Sequence, residues 1–224
     1  SYKEQGGEAA LSGSVTFGMP IEFGNNVLMP ALARFSQKQS RVKFALKLGF
    51  ASAMNDRILS GDLDFAFVDD FKMDPSITTE KVYDETLELC VSQEYLKKRP
   101  APKNDRKWFE SLEYVEYQKG EPILRKWFKH HLGSQNLALN VRADVMDVQG
   151  LARLITSGMG AGVLPGHLLN KLKAEGVKLH VFKGIGKPVK NGIRLAYLAE
   201  RTHSKAVIAA MQWLKDAAAK ETGA

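Results

Sequence analysis

The 224-residue chain is 44% hydrophobic and carries 32 Lys and Arg against 25 Asp and Glu, a formal net charge of +7. It is long enough to bury a full core, in one large domain or two small ones, and no run of about 18 apolar residues offers a membrane-spanning helix. Its one cysteine, Cys90, excludes an internal disulfide, and no Cys/His grouping has the spacing of a zinc site.

Residues 1–13 are polar and Gly-rich, without the apolar stretch of a signal peptide, and read as a lead-in or the end of a linker. Val15-Thr-Phe-Gly18 begins an alternating strand, and Pro20 breaks 19–23 into a loop. A helix is expected over 26–39, with Val27, Leu28, Leu32 and Phe35 on one face. Residues 41–48 alternate Val42, Phe44, Leu46 and Leu48 against Arg41, Lys43 and Lys47, the mark of a half-buried strand. Gly49 turns the chain into a helix over 52–60. Gly61 stops it, 63–68 is an apolar strand and 69–76 a polar loop.

The next alternating strand, 86–92, leads into a loop over 97–106 rich in proline and charge. A strand over 114–117 and a turn at 118–121 precede a helix over 122–132, with Pro122 at its first position. A strand follows at 139–143, and Asp144 or Asp147 caps a helix over 148–157. Gly158 stands where a helix end needs positive φ, and Val163-Leu164 opens a buried strand that Pro165 ends. A helix over 166–175 stops at Gly176. A strand over 177–182, a Gly- and Lys-rich turn over 183–192, a strand over 193–197 and an amphipathic helix over 204–219 complete the chain.

The helix–Gly–strand units at 59–68 and 151–165 occupy analogous places in the two halves, which predicts an α/β chain of two similarly built lobes. The charge supports a lobe boundary near Ser92. Residues 92–192 hold 18 Lys and Arg against 9 Asp and Glu, a net +9, and the remainder 14 against 16, a net −2. Such asymmetry marks either a surface that attracts anions or a solvated lysine-rich face, and the scatter of the charges favours the second.

In doubly wound sheets the ligand sits beyond the C-terminal ends of the strands, where helix N-termini converge. Those positions are 19–24, 50–52, 68–70, 117–121 and 145–147. Lys119 either pairs with an anion there or is a surface lysine in a turn. Glu22, inside the apolar run 19–23, either accepts a donor from a partly apolar ligand or stabilises the start of the helix. Gly158-Met-Gly-Ala-Gly162 follows a helix and opens a strand, the reverse of a dinucleotide loop, and so reads as a helix stop. His130 and His131 are neighbours that share no helical face, which suits a helix C-terminus rather than a metal. His167, His180 and His203 are isolated and read as structural. Cys90 has no flanking base or second cysteine and reads as a packed small side chain. No catalytic constellation and no cofactor motif emerge.

Gly13-Ser-Val-Thr-Phe-Gly18, Leu28-Met-Pro-Ala-Leu-Ala-Arg-Phe35, Leu59-Ser-Gly-Asp-Leu-Asp-Phe-Ala-Phe67, Leu87-Glu-Leu-Cys-Val-Ser92 and Ile155-Thr-Ser-Gly-Met-Gly-Ala-Gly-Val-Leu-Pro165, in this order, resemble the effector-binding domain of LysR-type transcriptional regulators. The resemblance implies a type 2 periplasmic-binding-protein-like fold, two Rossmann-like α/β lobes joined by crossover strands near 87–92 and 193–197. One lobe would comprise 14–91 plus 193–219, the other 92–192. It implies no enzyme activity, no cofactor and a small-molecule effector held in the interlobe cleft. By position, the contacts are Pro20, Ile21 and Glu22, then Phe50 and Ala51, then Tyr117, Lys119, Met146 and Asp147. The family commonly has Ser or Thr in the first loop, donating to a ligand carboxylate. Pro20, Ile21 and Glu22 in their place imply a ligand that presents an amine or hydroxyl to Glu22. The resemblance implies a homodimer or higher homo-oligomer, the domains pairing through the first helix of one subunit and the last of its partner. They meet promoter DNA through an N-terminal helix-turn-helix that these residues do not include, and they act in the cytoplasm. An exported solute-binding protein with the same fold is the alternative, and an enzyme on a bilobal scaffold a third reading.

Overall fold

The computed structural model describes residues 10–221 apart from 70 and 135, so most of the lead-in expected over 1–13 lies outside the described residues. The chain divides into two compact units, Ser1–Asp84 with Gly192–Ala224, and Glu85–Asn191. The dividing points fall inside two strands, β4 (Thr78–Ser92) and β9 (Val189–Tyr197).

In the first unit, β1 (Ser12–Met19) lies between β2 (Arg41–Leu48) and β3 (Phe65–Val68) and is parallel to both. The end of β9 closes the set antiparallel to β3, with Ala66 opposite Ala196. Strand alternation sends Val15, Phe17, Phe65 and Phe67 to one face, where Phe17 and Phe65 stack with centroids 4.8 Å apart. Helices α2 (Met29–Lys38) and α9 (Lys205–Glu221) cover that face through Leu32, Phe35, Val207, Ala210 and Leu214. The opposite face carries Ala66, Val68 and Ala196 under α3 (Ala51–Leu59), packed by Met54 and Ile58.

The first helix begins earlier than its apolar periodicity predicts. Pro20 is an N-cap rather than a loop breaker, followed by a helical turn α1 (Ile21–Phe23) and a π-helical turn (Gly24–Leu28) that runs into α2. Pro30 supplies the reason for the wide turn. It has no N–H to return to Asn26 and so loosens the α-helical ladder at this point, where Met29 N–H reaches past Asn25 to the Gly24 carbonyl five residues back. Phe23 is thereby buried against Tyr83 and Phe67.

In the second unit β4 pairs antiparallel with β7 (Gly162–Pro165) and β8 (Leu179–Val181), while β5 (Glu113–Glu116) and β6 (Asn140–Asp144) form a separate parallel pair. One core is aromatic: Trp108, Phe109, Tyr114, Trp127, Phe128 and Phe182, contributed by α5 (Arg106–Glu110), β5, α6 (Pro122–Leu132) and the chain after β8. The other is aliphatic, with Leu151 and Ile155 of α7 (Val148–Thr156) and Leu168 and Leu169 of α8 (Gly166–Ala174) against Val115 and Leu164.

Gly158 takes φ +84° and ends α7 as expected: its N–H bonds to the Ile155 carbonyl and Met159 N–H to Leu154, a Schellman closure. Gly160 serves a different purpose. Ala161 exchanges backbone hydrogen bonds with Glu113 and Val115, and a Cβ on Gly160 would lie 2.5 Å from the Glu113 carbonyl oxygen.

Three expectations are corrected. The strand expected at 86–92 begins at Thr78, because the polar half of β4 alternates too weakly to be read from sequence. The strand expected at 193–197 begins at Val189, inside the predicted turn. The predicted 97–106 loop is bordered by two short helices, α4 (Gln93–Lys97), capped by Ser92, and α5, capped by Asp105.

Candidate functional site

Each unit ends a pair of parallel strands side by side, which brings two loops together. In the first unit Met19 is in register with Leu48, and Gly49 N–H bonds to the Met19 carbonyl at 3.1 Å. Pro20, Ile21 and Glu22 leave β1 beside Phe50 and Ala51, which leave β2. Phe50 is the N-cap of α3, yet its side chain caps nothing and is 42% exposed. Ala51, the first helical residue, is buried. Ile21 and Leu48 are also exposed at these strand ends, giving the loop set an apolar rim. Glu22 is buried, and its Oε1 accepts a 2.8 Å hydrogen bond from Asn26 Nδ2 one helical turn on.

In the second unit Glu116 is in register with Asp144, and Val145 N–H bonds to the Glu116 carbonyl at 2.9 Å. Tyr117 and Lys119 therefore leave β5 beside Met146 and Asp147, which leave β6. Tyr117 and Asp147 are half-buried, Lys119 and Met146 exposed. Of the two caps weighed for α7 the structure selects Asp147, whose carboxylate accepts from Gln149 N–H at 3.3 Å and Gly150 N–H at 2.8 Å.

Sequence reading did not single out Glu116. Its side chain is 2% exposed, with Oε1 accepting from Tyr117 N–H at 2.7 Å and Oε2 from Leu124 N–H at 2.9 Å. It thus answers the start of α6 from below and fixes the first turn of the 117–121 loop. Burial raises its pKa above the usual carboxylate value, opposed by the backbone N–H groups of Leu124 and Tyr117 and reinforced by Glu121. Glu121 closes the loop at φ +59° and pairs with Arg125. The signal was present in the sequence as an acid at a strand end, six residues before a helix-opening proline.

Cys90, His130, His131, His180 and His203 are engaged elsewhere. Cys90 is fully buried, its Sγ 3.6 Å from the Gly162 carbonyl, and burial pushes the thiol far up, as an inert packed group requires. His130 and His131 bond not to their own helix end but to the Lys187 and Ile185 carbonyls, at 2.7 and 3.1 Å. His203 meets the Leu198 carbonyl at 2.9 Å, His180 packs edge-on to Phe182, and His167 Nδ1 lies 3.8 Å from Glu85. No helix among the described residues is long and apolar enough to cross a membrane.

Residues 8–219 match the model of the LysR substrate binding domain. No curated protein sequence matches the chain significantly. Among solved structures, HinK, a LysR family transcriptional regulator from Pseudomonas aeruginosa, superposes with a TM-score of 0.74 at 15% identity, over 94% of this chain and 73% of that one. The reduced regulatory domain of OxyR2 from Vibrio vulnificus gives 0.73 at 13% identity, over 94% and 98%. The effector binding domain of QuiR in complex with shikimate gives 0.68 at 16% identity, over 95% and 98%. The fold is the type 2 periplasmic-binding-protein-like fold of these domains.

Proposed function

The chain belongs to the LysR substrate binding domain family, and on that footing we propose that it is the effector-sensing and dimerisation domain of a LysR-type transcriptional regulator. The observation that carries this reading is the matched pair of loop sets, after β1 and β2 in one unit and after β5 and β6 in the other. Strand-end loops of this kind are where α/β folds take small ligands. The family match favours a regulator over the exported solute-binding alternative.

The effector's class follows from the residues. The first loop set exposes Ile21, Leu48 and Phe50 and carries one carboxylate, the buried Glu22. In the second, both helix starts are already met by carboxylates, α6 by Glu116 and α7 by Asp147. A ligand carboxylate would find Lys119 as its main attraction and acids around it. A metabolite with an apolar body and an amine or hydroxyl donor suits both sets. Binding would shift populations of the domain's conformations, with no bond made or broken. The exposed Ile208 and the small Ala209 on α9, beside α2, support homodimer contact through these two helices. Such a regulator works in the cytoplasm, bound to promoter DNA through its N-terminal module.

A thermal-shift panel of metabolites on this chain tests the reading, because a ligand at 100 times its Kd adds about 2.7 kcal/mol to stability. Amines or alcohols with an apolar body should raise the Tm, and Glu22→Gln should weaken the best of them at least tenfold. Hits confined to carboxylates, or an affinity indifferent to Glu22→Gln, would overturn the ligand class. Turnover of any hit would overturn the sensing role.

A further inference from the structure

Resting on the regulator reading above, we propose that one face of the 85–191 unit binds the phosphate backbone of duplex DNA next to the regulator's own site. The buried side of α6 is Leu124, Trp127, Phe128 and His131. Its exposed side is Lys126, Lys129 and His130, at the i, i+3, i+4 spacing that puts three side chains on one surface.

The segment after β8 is clamped onto the C-terminal end of this helix. His130 Nε2 lies 2.7 Å from the Lys187 carbonyl and His131 Nδ1 3.1 Å from the Ile185 carbonyl, so each imidazole nitrogen donates to the clamped segment. Gly184 fits so closely that a Cβ there would fall 2.0 Å from the His131 ring. Lys183 and Lys187 are exposed and are thereby held beside Lys126, Lys129 and His130. Two stretches more than fifty residues apart become one surface.

Neither stretch, 122–132 nor 182–190, contains an acid. The acids on adjoining elements are already used. Asp105 accepts from Trp108 N–H, Glu110 from Arg106 and from Ala138 N–H, and Glu121 pairs with Arg125. With no acid in either stretch, this face itself carries only positive charge, and a polyanion would be drawn to it.

The neighbouring side chains select the kind of polyanion. Binding single strands uses exposed aromatic rings as stacking platforms, and here Trp108, Tyr114, Trp127, Phe128 and Phe182 are all buried. A protein partner would need an apolar centre to its interface, and Ile185 is the one large hydrophobic side chain exposed among the described residues of these two stretches. Lysines without stacking or an apolar centre fit a regular row of phosphates. The interaction would be weak and indifferent to base sequence. Tethering to a bound DNA module makes even a weak interaction count through effective concentration.

The test is titration of this chain with a fluorescent duplex of arbitrary sequence, across a salt series. Binding is expected with a Kd on the order of 10–100 µM at low salt. The triple variant Lys126→Glu, Lys129→Glu, Lys187→Glu should lose at least tenfold. The slope of log K against log salt should flatten by about 2–3, at ~0.9 for each phosphate that is no longer neutralised. A control with Lys43→Glu, Lys173→Glu and Lys178→Glu has the same net charge and should keep most of the binding. Equal losses in the two variants would reduce the effect to net charge and overturn the proposal. So would the absence of duplex binding at low salt, or tighter binding of single-stranded RNA or of poly-glutamate. A metabolite that raises the Tm of both variants alike would show that effector sensing survives even where the DNA face fails.

Discussion

The loops after β1 and β2 stand on packing, whereas those after β5 and β6 stand on buried charge. In the first unit Phe23 is wedged among Phe67 and Tyr83, Met19 and Leu28 are fully buried, and α3 starts with no side-chain cap at all. In the second, Glu116 and Asp147 accept from the backbone N–H groups of Tyr117, Leu124, Gln149 and Gly150 and aim the loops by hydrogen bonding. Packing leaves the first loop set free to expose Ile21 and Phe50. Carboxylate caps give the second set direction but fill the helix ends that an anionic ligand would use. One fold has thus made two chemically distinct surfaces from the same strand-pair geometry.

The sharpest way to break this comparison is through the glycines behind each loop set. Gly160 faces the Glu113 backbone, which cannot retreat, so Gly160→Ala should cost about 3 kcal/mol in denaturant unfolding. Gly18 faces the thioether of Met54, a flexible side chain, and Gly18→Ala should cost only about 1 kcal/mol. Equal costs would mean that the second unit is no more tightly constrained than the first.

The caps give the next effect. Asp147→Ala should cost ~1 kcal/mol, and Phe50→Asp, which installs a cap on α3, should add about 0.5–1 kcal/mol. If Phe50→Asp stabilises the domain yet abolishes effector binding, the bare helix start is there for the ligand. If it destabilises, Phe50 is a packing residue and the contrast with Asp147 fails.

The smallest effect is a pH dependence. Because the folded protein holds Glu116 at a raised pKa, this group favours folding most at low pH, and that contribution is lost as pH rises from its unfolded value near 4.5 through the raised one. Glu116→Gln removes the titration. Its stability relative to the parent, measured by urea unfolding between pH 4 and 7, should therefore climb with pH. A flat difference would mean that the backbone N–H groups fully offset burial.

Much of this was legible because it is local. The 3.6-residue spacing in 122–132 gave the bounds of α6, the alternation in 41–48 those of β2, and Gly61, Gly158 and Gly176 the helix stops. What misled was also local. Pro20 reads as a breaker until the chain is seen to use it as an N-cap, and Thr78–Glu85 is too polar to announce a strand that gains its partners only on folding. Of the proposed site, the family resemblance put nine residues on four loops, and the strand pairing brings Pro20, Ile21 and Glu22 beside Phe50 and Ala51, and Tyr117 and Lys119 beside Met146 and Asp147. Glu116 went unread because its place at a strand end before Pro122 marks a position near the loop but not that the carboxylate is buried.

The sequence by itself determined the periodicities and the punctuation, which follow from backbone sterics and the spacing of apolar side chains within a few residues, and its ordered motifs carried the resemblance to the family. Only the tertiary structure decided that Glu116 is buried, that Phe50 is left bare, and that the segment around Ile185 and Lys187 is held on the end of α6 by His130 and His131. Each of these depends on contacts between distant segments, and no local preference encodes them.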